Sequence, residues 1–105
     1  MASFKDNLET FPPADGIARL ELLDAAGAIV GAVENRPGST GSLRLYLELA
    51  RRFGAITPQA AEAGCALYAE HADDARANPG KHPNVDRLLG LVAGGGTLAT
   101  RVVRG

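Results

Sequence analysis

A chain of 105 residues is long enough for one folded domain, spanning 1–105, and too short for two. Hydrophobic residues make up 46 % of it and charged residues 22 %, a balance that excludes an intrinsically disordered segment. Eleven Lys and Arg stand against twelve Asp and Glu, for a net charge of −1. No basic stripe of the kind that grips a phosphate backbone is present, so nucleic acid is not an expected partner.

Aromatic residues are few, Phe4, Phe11, Tyr46, Phe53 and Tyr68 with no Trp. The core must therefore be built from Leu, Val, Ile and Ala. Cys65 is the only cysteine, which rules out an intrachain disulfide and a cysteine cluster for zinc. Lys5, Asp6 and Glu9 interrupt the first nine residues, so a secretory signal is not expected there. No apolar run approaches the ~20 residues that a membrane-spanning helix needs. The expected setting is the cytoplasm, with no membrane contact.

In chain order, Phe4, Leu8 and Phe11 fall on one helix face, with Ser3 as N-cap, Asp6 in the first turn and Pro12-Pro13 as the stop. Ile17 to Leu23 alternates as a strand, Asp24-Ala25-Ala26-Gly27 fits a type I turn, and Ala28 to Glu34 returns as the second strand. Gly31 marks a bulge or a close backbone approach.

Asn35 to Ser42 (NRPGSTGS) is a loop, followed by a helix from Leu43 to Phe53 that Gly54 closes. Arg44, Glu48, Arg51 and Arg52 form one narrow polar face on that helix. Leu43, Leu45, Tyr46, Leu47, Leu49, Ala50 and Phe53 cover most of the rest. A helix apolar over about 200° is buried on more than one side, so self-association through Leu43–Phe53, giving a homodimer, is the expected contact.

Thr57-Pro58 starts a further helix that runs to about Ala77. Its core stripe is Ala61, Gly64, Cys65, Tyr68, Ala72 and Ala75, small residues that imply a close helix contact. Leu67, His71, Asp74 and Asn78 share an adjoining face. The loop Asn78 to Pro83 (NPGKHP) cannot be helical. Asn84 is the expected cap of a short helix carrying Val85, Leu88, Leu89 and Val92, and Gly94-Gly95-Gly96 stops it. Thr97 to Val103 is β-branched and alternating, a final strand. The fold class is α+β: N-terminal helix, β-hairpin, three helices and a C-terminal strand completing a small antiparallel sheet.

Two constellations carry chemistry. NRPGSTGS joins a strand to a helix, a place where backbone amides cradle anions, although it lacks the lysine and spacing of a nucleotide-binding loop; its plainer role is a connection capped by Ser39, Thr40 or Ser42. The second groups His71, Asp73, Asp74, Lys81, His82, Asp86 and Arg87 around one tight loop, where the candidate binding residues are His71, Asp74, Asn78, Lys81, His82 and Asn84. Two imidazoles beside carboxylates suit acid–base work or a divalent cation, but the spacing fits no metal motif, and helix ends collect such charges for capping alone. Cys65 lies on the small-residue stripe and reads as a buried thiol rather than a nucleophile. No catalytic motif is present, and no cofactor is expected.

The segments DGIARLELLDAAG and AEHADDARANPGKHPNVDRLL, taken in this order, resemble a small bacterial family of domains of unknown function. The likeness spans nearly the whole chain and is most distinctive at Asn78 to Asn84. It implies a bacterial cytoplasmic protein and carries no activity, ligand or site residue with it. The expected function is a small binding or interaction module; the alternative is a small metal- or anion-dependent enzyme using the region of His71, Lys81 and His82.

Overall fold

The hairpin turn shows how tightly the sequence writes this chain's first β unit. Asp24 accepts the amides of Ala26 and Ala28 on Oδ1, both at 2.9 Å, and Gly27 takes the left-handed conformation at φ 84°. A computed structural model describes residues 2–105. Strands β1 (Ile17–Leu23) and β2 (Ile29–Glu34) flank the turn, and β3 (Ala99–Arg104) pairs with the free edge of β1. All pairings are antiparallel, in the order β2-β1-β3, with Leu20 set between Val33 and Val102. The C-terminal strand thus completes the sheet where its alternation placed it.

The five helices are α1 (Phe4–Leu8), α2 (Thr40–Phe53), α3 (Pro58–Tyr68), α4 (Glu70–Ala77) and α5 (Pro83–Gly94). Helix α2 lies on the sheet and brings Leu43, Leu45, Tyr46 and Leu49 against Leu20, Leu22 and Val33. Its other apolar flank meets α3. Gly64 of α3 makes that contact close: a Cβ there would lie 2.6 Å from Leu88 Cδ1 of α5 and 2.8 Å from Leu49 Cδ1 of α2.

The wide apolar surface of α2 is therefore used inside one chain. Leu47 is partly buried against the core, and only Phe53, at the last turn, stays exposed. The sequence-based reason for self-association through Leu43–Phe53 is removed by this packing. The polar face of α2 is not a solvated one either. Glu48 is 2 % exposed and held by Arg51 and Arg52, whose hydrogen bonds, Arg51 first, hold its carboxyl below the usual range. Arg44 donates to the carbonyls of Leu8, Phe11 and Pro12. That clamp gathers the carbonyls of the chain as it leaves α1, which ends at Leu8 rather than at Phe11.

Three other boundaries differ from expectation, the first of them for a tertiary reason. The helix expected from Thr57 to Ala77 breaks at Ala69, which adopts φ 55° and ψ −118°. In an unbroken helix the Leu67 carbonyl would accept the His71 amide; instead Asn7 donates its side-chain amide there at 2.8 Å, and Glu70 accepts the Phe4 amide. Helix α2 starts at Thr40, three residues early. Helix α5 starts at Pro83, so Asn84 is not its cap: its side-chain oxygen accepts from Arg87 and its carbonyl accepts from the Tyr46 hydroxyl.

Candidate functional site

The loop after α4 is shaped by four side-chain contacts. Gly80, at φ 91°, donates its amide to Asp86 Oδ2 at 2.9 Å. Asn78 closes α4 and donates its side-chain amide to Asp74 Oδ1 at 2.8 Å. The other oxygen of Asp74 receives both neighbours of the turn, His82 Nε2 at 2.6 Å and Lys81 Nζ at 3.0 Å. These contacts, His82 first and Lys81 second, pull the Asp74 carboxyl down to about 2. Asp74 thereby fixes which ring nitrogen of His82 faces the protein and leaves Nδ1 with no partner among the described residues.

His71 stands one turn before Asp74 on α4. Its ring lies 5.5 Å from that of His82 and meets Phe4 edge-on at 4.9 Å. Phe4 in turn stacks on Tyr68 at 5.2 Å with 22° between planes. Tyr68 is buried, and burial pushes its hydroxyl far above the ordinary phenol value. That hydroxyl donates to Ser42 Oγ at 2.7 Å, so the row of rings ends on the first turn of α2.

The two constellations of the sequence meet here. A cleft of about 350 Å³ has one wall from Gly38, Thr40, Gly41 and Ser42 and another from His71, Lys81 and His82, with Phe4 and Tyr68 between them. The start of α2 faces this space without a carboxylate in its first turn and without a side-chain cap. Ser39 Oγ is occupied with the Glu34 carbonyl and Thr40 Oγ1 with Asn35 Oδ1. The backbone amides of Gly41 and Ser42 have no acceptor among the described residues. Such amides carry the partial positive charge of the helix end.

Of the residues singled out by sequence, His71, Asp74, Asn78, Lys81 and His82 are brought together. Asn84 borders the cleft, but its side chain is turned to Arg87. Asp74 and Asn78 support the site from behind and do not line it. Ser42, Gly41 and Phe4 join the second constellation only through tertiary packing, whereas Tyr68 stands three residues before His71. Among the described residues no three His, Cys, Asp or Glu side chains converge as a metal would require.

The comparisons with known proteins bear on the family. A family model described as an uncharacterized protein conserved in bacteria (DUF2322) matches residues 4–102. The chain belongs to this family. Neither the curated proteins nor the solved structures contain a match to it. The resemblance seen in the sequence is therefore shown, and the family's description names no activity to carry onto the cleft.

Proposed function

We propose that this DUF2322 protein is a binding module that takes a small anion, a carboxylate or phosphate group, in the cleft between the first turn of α2 and the loop 78–84. The observation that carries the reading is the makeup of the lining: one lysine, two imidazoles and two unpaired helix-end amides, with no carboxylate among them. Donors that the protein leaves without partners must be met by water or by a ligand. An anion meets them best, because it gains from the helix end, from Lys81 and from an imidazole N–H at once. Phe4 and Tyr68 add an apolar wall that favours an organic anion over an inorganic one. The setting of this activity is the bacterial cytoplasm, where a lone thiol such as Cys65 stays reduced.

Titration with inorganic phosphate and with acetate, followed by backbone and imidazole nuclear magnetic resonance, tests the proposal. The expected result is saturable movement of the Gly41 and Ser42 amides together with the His82 ring. Lys81→Ala is expected to weaken binding about tenfold, the worth of one charge-assisted hydrogen bond at ~1.4 kcal/mol. Indifference of all three groups at millimolar anion sinks the reading.

A further inference from the structure

A second cavity, about 750 Å³ in volume, shares no lining residue with the cleft. It runs along α3 and α4 on one side and α5 on the other. Ala66, Ala69 and Ala72 form its floor, and Leu89 and Val92 form the facing wall. Val92 is 43 % exposed, an apolar side chain left in water beside a groove. The rim is acidic. Glu62, Glu70 and Asp73 stand there against Arg76 alone, and Arg76 lies 3.4 Å from Asp73. Glu62 makes no hydrogen bond or ion pair among the described residues.

We infer that this groove docks an amphipathic helix of a partner protein, with an apolar stripe on the alanine floor and lysines or arginines along its flanks. Three observations select that occupant. Apart from Ala2, Ser3 and the bend at Ala69 the lining is helical, so an extended peptide finds no strand edge to pair with. An alanine floor lets a third helix approach closely, and its ridge fits between two packed helices. The surplus of rim carboxylates matches basic flanks and repels an anionic lipid surface. Helix α2 of a second copy is a poor occupant: its apolar surface is buried, and Arg51 and Arg52 at its end are engaged with Glu48.

The test uses two fluorescent peptides of about four helical turns. Both carry leucine and alanine on one face; one has lysine flanks and the other has glutamate in the same places. Fluorescence anisotropy with the full chain should show binding of the lysine peptide only, weakening as salt rises. Val92→Glu and Glu62→Lys change exposed side chains, and each should weaken that binding at least about tenfold. Circular dichroism melting would verify that both variants stay folded. The inference is overturned if the lysine peptide fails to bind, if both peptides bind alike, or if Val92→Glu makes no difference. It is equally overturned if the chain is a dimer that Val92→Glu dissociates, or if it binds vesicles of anionic lipid in preference to the peptide.

Discussion

Leu88 Cδ1 lies 2.6 Å from the point where a side chain on Gly64 would begin, and Leu49 Cδ1 lies 2.8 Å from the same point on the other side. Both leucines are fully buried, so neither methyl group can swing into solvent. Helix α3 is held between α2 and α5 by this one missing methyl group. Gly64→Ala gains ~1 kcal/mol of helix propensity but must push two packed side chains apart, at ~1–3 kcal/mol or more. The expected outcome is a net loss near ~1 kcal/mol, read as a lower urea midpoint with an unchanged slope. A midpoint raised above the parent's would mean that the helices part freely there.

Ala69 provides a change of the opposite sign. Its φ of 55° belongs to a region that costs a residue bearing a Cβ ~1–3 kcal/mol, and glycine adopts it without that cost. Ala69→Gly should therefore stabilise the chain by about 1 kcal/mol and raise its thermal midpoint by several degrees. A lower midpoint in differential scanning calorimetry would show that the bend is not strained.

The bend depends on its partner sixty residues away. Asn7→Ala removes the amide that holds the Leu67 carbonyl and should cost ~1 kcal/mol, the ordinary worth of a partly buried hydrogen bond. The expected signature is local: faster hydrogen exchange in α1 and around residues 67–71, with the sheet unaffected. Uniform loosening across the sheet would contradict it.

These contacts explain what the sequence made legible and what it hid. The hairpin and β3 follow from alternation and from Asp24 and Gly27, which act within a few residues. Pro58 and Gly54 likewise announce a helix start and a helix end locally. The break at Ala69 does not, because Thr57 to Ala77 reads as continuous and the interruption comes from Asn7 and Glu70. Glu48 and Arg44 read only as part of a narrow polar face, yet one is buried beneath arginines and the other clamps α1. The candidate site divides the same way. His71, Asp74, Lys81 and His82 are close in sequence and were found, whereas Gly41 and Ser42 reach them only through the packing of α2 against Tyr68.

Asp74 makes the acid limb of stability specific. Its carboxyl sits near 2 in the folded chain, below the 3.8 of a free one, so the folded state binds the proton more weakly. The stability it contributes is complete above about pH 4 and is lost as pH falls through 3.8 toward 2. Asp74→Asn should then melt lower than the parent at pH 6, with the gap closing by pH 2. A constant gap across that range would place the contribution of Asp74 elsewhere than in its charge.

The same carboxylate is a competitor inside the proposed anion site. Asp74 Oδ2 holds Lys81 and His82 together, so it offsets the positive charge that the cleft presents to a ligand. Asp74→Asn keeps a side chain of nearly equal shape and an acceptor oxygen for both partners, while removing one negative charge from just behind the wall. The Asp74 charge lies just behind the wall that a bound anion would touch, and the repulsion is weakened but not abolished by the solvent around it. Phosphate should therefore bind the variant about three times more tightly, and raised salt should shrink the advantage. The measurement is a phosphate titration of both proteins at one pH, read on the Gly41 and Ser42 amides. Weaker binding by the variant would show that orienting His82 outweighs charge, making Asp74 a positioning residue. Equal binding would mean that the anion does not sense this wall of the cleft.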